Sequence, residues 1–286
     1  TTAQLPAIKK KYPESTIFWL TLKNASQLLS NNQYIDRVLI WDYESILFVK
    51  ELEFDVVLNA DKSIGACALT NSLKSKLKLG FSLNKSGGII PLNDSANYNF
   101  ILGLDDELKF RINERTGQDI LAETFELEYL RSDYVLNLTQ DEISFCKDYK
   151  KKNQIQDSDL VVAFNTGCSE LYPNKKMTIE QHVKLIEKLS QFDKIKILLL
   201  GGPEDTNRNN QIAEYVGDKA ILTPTTEGLR KGICYENLAD VVITGDSFGM
   251  HLAIALKKHV IAWFGLSCWT EIDLYDRGVK LFPEGL

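Results

Sequence analysis

The sequence predicts an α/β protein of two doubly wound domains, and three observations carry that prediction. Short runs of β-branched and apolar residues alternate with segments of helical spacing along most of the chain. The runs are continuously apolar rather than alternating, as befits strands of a parallel sheet covered on both faces. The 286 residues, 44% of them hydrophobic, suffice for two cores of about 100–150 residues each.

In the first half, residues 2–11 read as a helix closed by Tyr12-Pro13. Residues 16–22, 37–41 and 55–60 read as strands from their β-branched and aromatic content, and 25–30, 43–52 and 63–76 carry helix-like spacing. Residues 93–138 are less regular and rich in charge, and are expected to hold extra strands and a crossover helix. A parallel-sheet domain normally opens with a strand, so the strand before residue 2 is expected to be missing from this chain.

From residue 139 the rhythm resumes: a polar helix to 153, a strand at 160–164, a loop to 177, a helix over 178–192 and a strand at 195–200. The turn Gly201-Gly202-Pro203-Glu204-Asp205 follows, then a helix to about 216. The most informative stretch is 241–256. A β-branched strand runs into Gly245-Asp246-Ser247-Phe248-Gly249-Met250-His251, then a helix, with another strand at 259–264. Such a turn at the carboxyl end of a parallel strand leaves backbone N–H groups at a helix N-terminus, which attract phosphate. The domains are therefore placed at 1–138 and 139–286, facing one cleft.

Composition bounds the function. No apolar run approaches the roughly 18–20 residues of a membrane span, and the opening Thr1-Thr2-Ala3-Gln4 is unlike a secretion signal. Five cysteines without a C-x-x-C pair suggest neither a zinc site nor a disulfide framework, and a reduced, cytoplasmic compartment is expected. Residues 1–100 carry 11 basic against 9 acidic side chains and the remainder 22 against 30, a weak pointer to the first half for an acidic partner. No nucleic-acid partner is expected.

Four loops at carboxyl ends of second-half strands are candidates for ligand contact. Asn165-Thr166-Gly167-Cys168-Ser169, with Asn174-Lys175-Lys176, combines close backbone approach with a mobile cation, or is simply a polar loop. In the second loop, Glu204 and Asp205 either accept from ribose hydroxyls or open a helix. In the third, Asp246 or Ser247 caps the helix while the turn and His251 meet a ligand. The fourth, Gly265-Leu266-Ser267, is weaker. In the first half Asp42 and Asp61 each end a strand, as a base, an acceptor-binding group or a helix cap. The run Asp105-Asp106-Glu107 reads better as a solvated face than as a metal clamp, and no metal site is expected.

Taken together, the order and spacing of several segments resemble the heptosyltransferases, glycosyltransferase family nine. They are Leu5-Pro6 to Tyr12-Pro13, Asn32 to Val38, Asn165-Thr166-Gly167-Cys168, Asn174-Lys175-Lys176-Met177, Leu199 to Asp205, and Asp246 to His251 followed by Leu252-Ala253. The resemblance spans nearly the whole chain and implies the two-Rossmann-domain GT-B fold. It further implies an inverting, metal-independent transfer of a sugar, usually heptose, from an ADP-activated donor to a lipopolysaccharide core or related glycan acceptor, without a cofactor. Carried over by position, Thr166, Gly167, Lys175 and the turn Asp246, Ser247, Phe248, Gly249, Met250 and His251 would hold the donor diphosphate. Glu204 or Asp205 would lie near the nucleoside.

This chain departs from the family pattern in places. Phe248 occupies the usual glycine place with Gly249 after it, and Met177-Thr178 replaces Trp-Pro. The aspartate that serves as general base in the family is expected before Thr1 and is not in this chain, leaving Asp61 as a weaker candidate; a tail beyond Leu286 is likewise expected. The resemblance implies a place at the inner face of the inner membrane, with peripheral membrane contact. Three other readings compete: a nucleotide-sugar epimerase of related fold, a two-lobed sugar- or nucleotide-binding protein without catalysis, and an envelope-complex scaffold.

Overall fold

A computed structural model describes residues 1–168, 175–265 and 267–282. The chain divides into two compact units. The first comprises Thr1–Val135 and Thr270–Asp273, the second Leu136–Trp269 and Leu274–Leu286.

In the first unit, helix α1 (Leu5–Lys11) precedes strand β1 (Phe18–Thr21), the short helix α2 (Lys23–Ser26), β2 (Arg37–Ile40), α3 (Tyr43–Glu51), β3 (Glu53–Asn59) and α4 (Ile64–Ser72). Asp42 caps α3 by accepting from Ser45 N at 2.8 Å, and the Ser63 hydroxyl caps α4. Next come β4 (Lys74–Leu83), β5 (Ile89–Pro91), α5 (Asn97–Leu102), a π-type turn at Leu108–Ile112 and α6 (Gly117–Thr124). β1 and β2 pair in parallel; β3 and β4 also run parallel, while β5 joins β4 antiparallel.

Three expectations are corrected here. The helix expected over 63–76 stops at Ser72, because Lys74–Leu83 alternates and pairs with β3 as a strand. The extra strands lie at 74–91 rather than within 93–138, whose described elements are helical. The strands of this unit are also not covered throughout: every residue of β1 is only half-buried. Its buried clusters instead lie under α1 and α6 (Ala7, Leu79, Leu121, Phe125) and under α4 (Cys67, Phe81, Ala96).

The second unit opens with α7 (Gln140–Lys152), whose Thr139 and Glu142 form a reciprocal capping box. It continues through β6 (Leu160–Asn165), α8 (Ile179–Leu189), β7 (Ile195–Leu200), α9 (Thr206–Val216), β8 (Ile221–Leu222), α10 (Leu229–Asn237), β9 (Val241–Gly245), α11 (Phe248–Ala255), β10 (His259–Trp263) and β11 (Gly278–Leu281). All six strands are parallel, in the order β11-β10-β9-β6-β7-β8. Counted within the unit this is the 3-2-1-4-5-6 order, and the winding reverses between β6 and β9. Here the continuous apolar strands are buried as expected: Phe164, Leu199, Ile186 and Ile212 are wholly enclosed, each contributing on the order of 2 kcal/mol through burial. β8, α10 and β11 carry too short or too polar a pattern to have been read from the sequence.

Candidate donor-binding site

The reversal point of the second sheet brings the ends of β6 and β9 side by side, with Asn165 paired in register with Thr244. In open α/β sheets a crevice forms outside the carboxyl ends of the strands at such a point. The candidate loops after β6, β7 and β9 border it in this unit, and Ser267 of the loop after β10 reaches Asp246. Ser169, Asn174 and Leu266, also in candidate loops, lie outside the described residues.

The turn after β9 is built around Ser247, whose hydroxyl accepts from Met250 N at 3.3 Å and so caps α11. Asp246 is not the cap. Its Oδ2 accepts from Lys175 Nζ at 2.6 Å. Both side chains are largely enclosed, at 18% exposure for Lys175 and 17% for Asp246. Burial alone would raise the Asp246 carboxyl, but the Lys175 ammonium outweighs it and holds the group below its ordinary value. The first N–H groups of a helix have no intrahelical acceptor, so those of Phe248 and Gly249 remain for a ligand or solvent. The Phe248 side chain is exposed, Met250 is fully buried and His251 lies one turn in, half-buried. Burial lowers the His251 pKa and Asp246 only partly restores it, so the imidazole is neutral at pH 7.

Two glycines are dictated by close approach. A Cβ on Gly245 would stand 2.3 Å from the Lys175 carbonyl oxygen, which also accepts from Trp263 Nε1 at 3.0 Å. A Cβ on Gly249 would stand 2.2 Å from Asn165 Nδ2. Thus the backbone of Lys175 and the side chain of Asn165 both lie directly on the β9–α11 turn.

The loop after β6 is pinned from below. Thr166 is buried, its hydroxyl bonded to the Leu200 carbonyl at 3.3 Å and to Asn209 of α9. Gly167 lies against the Asp205 carboxylate. That carboxylate is itself buried, with Oδ2 accepting from Gly202 N at 3.0 Å and Oδ1 4.0 Å from Lys176 Nζ. Glu204 is exposed beside it. Arg208 of α9 donates to the Met177 carbonyl, and its charge is felt at both Asp205 and Cys168. Lys175, Lys176 and Arg208 thus face Asp205 and Asp246 along this edge, with Glu204 a third acid at the solvated surface.

Asp61, in the first unit, is exposed after β3 and accepts from Ser63 N at 2.7 Å, organising the start of α4. Asn209, Arg208 and Trp263 had no assigned part in the sequence reading, and Asn165 was named only as the first residue of a candidate loop. Asn165 ends an apolar strand, which is a usable signal only once the strand order is known.

Two α/β units in one chain, the second a parallel sheet with a winding reversal between β6 and β9, match the GT-B fold. Residues 48–282 match glycosyltransferase family 9 (heptosyltransferase), and the chain belongs to that family. Among solved structures, a glycosyl transferase family 9 protein from Veillonella parvula DSM 2008 superposes with a TM-score of 0.78 at 18% identity, covering 99% of this chain and 81% of that one. The E. coli ADP-heptose LPS heptosyltransferase II gives 0.67 at 14% identity, covering 98% and 85%. E. coli heptosyltransferase WaaC with ADP gives 0.64 at 14%, covering 99% and 86%. No curated protein sequence matches the chain.

Proposed function

We propose that the protein transfers a heptose or related sugar from an ADP-activated donor to a lipopolysaccharide-core or similar glycan acceptor, by a single inverting displacement. The observation that carries this reading is the β9–α11 turn, where Ser247, two first-turn N–H groups and Lys175 converge beside the winding reversal. Anionic oxygens are stabilised by such donors and by the positive end of the helix. ADP in the structure of E. coli WaaC is consistent with the same nucleotide here.

In this reading the acceptor hydroxyl attacks the anomeric carbon, its proton passes to a carboxylate, and the bond to the diphosphate breaks. The departing charge is met by helix-terminal N–H groups, the Ser247 hydroxyl and Lys175, with Lys176 and Arg208 adding positive potential. The ribose lies toward Glu204 and Asp205. Asp61 is the candidate base within this chain. A lipid-linked acceptor calls for work at a membrane surface on the cytoplasmic side. Among the described residues no helix is long and apolar enough to cross a membrane.

Thermal-shift measurements against ADP, UDP and GDP test the donor assignment, since a ligand that binds only the folded state raises its Tm. ADP alone, or ADP most strongly, is the expected result. Stabilisation by UDP alone would turn the reading toward a nucleotide-sugar epimerase, and no stabilisation by any of them would remove it.

A further inference from the structure

Proton bookkeeping at the β9–α11 turn gives a role to Asn165, the last residue of β6. Its Nδ2 donates to Ser247 Oγ at 2.8 Å and to Thr244 Oγ1 at 3.1 Å. Ser247 Oγ also accepts from Met250 N at 3.3 Å. A hydroxyl oxygen has two lone pairs and one proton. Both lone pairs of Ser247 are engaged, so this hydroxyl can act only as a donor.

Among the described residues its acceptor is Thr244 Oγ1, 3.1 Å away. Thr244 spends its own proton on the Gly245 carbonyl at 2.8 Å while receiving from Asn165. The Ser247 proton therefore rests on Thr244 or turns to an incoming oxygen, and an anionic oxygen is the stronger acceptor. The amide is held in place by contact with Gly249, where a Cβ would come within 2.2 Å of Nδ2. Among the described residues, Asn165 is the side chain bonded to both Thr244 Oγ1 and Ser247 Oγ.

We propose that Asn165 is a positioning residue for the donor diphosphate: it polarises the Ser247 hydroxyl outward, so that the turn offers an obligate donor rather than an adaptable hydroxyl. The proposal rests on the donor site described above. It acts through Ser247 and requires no contact between Asn165 and the ligand.

Calorimetric titration of ADP and of adenosine into five proteins tests it: wild type, Ser247→Ala, Asn165→Ala, the isosteric Asn165→Asp, and the double variant Asn165→Ala/Ser247→Ala. Loss of one charge-assisted hydrogen bond weakens binding about tenfold or more. Ser247→Ala and Asn165→Ala are each expected to weaken ADP by that order. The double variant is expected to lie within about threefold of the weaker single, because both substitutions remove one interaction. Asn165→Asp, which replaces a donor by an acceptor of the same shape, is expected to weaken ADP beyond Asn165→Ala. Adenosine, having no diphosphate, is expected to bind all five alike, which also shows that each variant is folded. If Ser247→Ala leaves ADP affinity unchanged, the donor site itself is misplaced. Should Ser247→Ala weaken ADP while both Asn165 variants bind normally, or the two losses multiply in the double variant, Asn165 has no positioning role and the donor site stands.

Discussion

Lys175 Nζ lies 2.6 Å from Asp246 Oδ2, tying the segment before α8 to the turn after β9 across 71 residues of chain. The pair leaves neither charge alone in a largely enclosed setting. In the proposed donor site a diphosphate would meet an ammonium already positioned and an aspartate already paired, so that the carboxylate would not repel it.

Removing the cation while keeping the anion is expected to be costly. Lys175→Met leaves Asp246 enclosed and unpaired, and should lower unfolding free energy by about 1–3 kcal/mol in urea titrations. Lys175→Met with Asp246→Asn should recover most of that loss. In steady-state assays Lys175→Ala should raise donor KM or lower kcat, and unchanged kinetics would remove Lys175 from the site.

His182 predicts a pH dependence. It is buried against Phe164, with ring centroids 5.9 Å apart, and its Nδ1 is bonded to the Thr178 carbonyl at 2.9 Å. Burial, with a smaller contribution from the Arg208 charge, pushes its pKa down to about 4 from an ordinary 6.5. The unfolded chain therefore binds the proton more readily between those values, and stability is lost as pH falls from about 6.5 toward 4. The full shift corresponds to about 3 kcal/mol. Urea midpoints measured at pH 7 and 4.5 should show this slope in the wild type and a flatter one in His182→Gln; parallel slopes would refute it.

Gly245→Ala forces a methyl into the Lys175 carbonyl at 2.3 Å, and neither backbone can withdraw without breaking the Trp263 hydrogen bond. A loss of about 1–3 kcal/mol is expected, with a lower Tm. Gly232→Ala in α10, where a Cβ meets nothing within 4 Å, is the matched control and should be neutral or stabilising.

Asp273 receives Arg131 in a two-pronged ion pair, Nε to Oδ2 at 2.8 Å and Nη2 to Oδ1 at 3.0 Å. Together with the Gly117 N–H on the Glu271 carbonyl at 2.8 Å, it fastens the 270–273 segment within the first unit. Asp273→Ala should cost about 1–2 kcal/mol, discounted because the arginine side chain is 45% exposed. Hydrogen exchange should quicken at Gly117, and unaltered exchange there would deny the tether.

Much of the second unit was legible because its signals are local. β6, β7, β9 and β10 are predominantly apolar runs, and Thr178 with Gln181 announces α8 by its capping box. The first unit was harder. Lys74–Leu83 carries charges on alternate positions and follows a helix without a glycine or proline, so helical and strand spacing compete there until β3 provides a partner. Asp42 proved to be a helix cap, the role its position just before an apolar helical run allows.

The candidate donor site divides in the same way. Ser247 as the cap of α11, the phosphate-attracting turn and the cation at Lys175 are properties of short segments, since capping chemistry and side-chain charge need only near neighbours. The pairing of Lys175 with Asp246, the burial of Asp205 beneath Gly167 and the lodging of Asn165 on Gly249 join residues far apart in the chain. They depend on β6 and β9 lying side by side, a strand order that many sequences of the same local pattern could have adopted differently. Local propensity determined the elements and the chemistry they carry, while only the parallel packing of the sheet decided which of those groups meet.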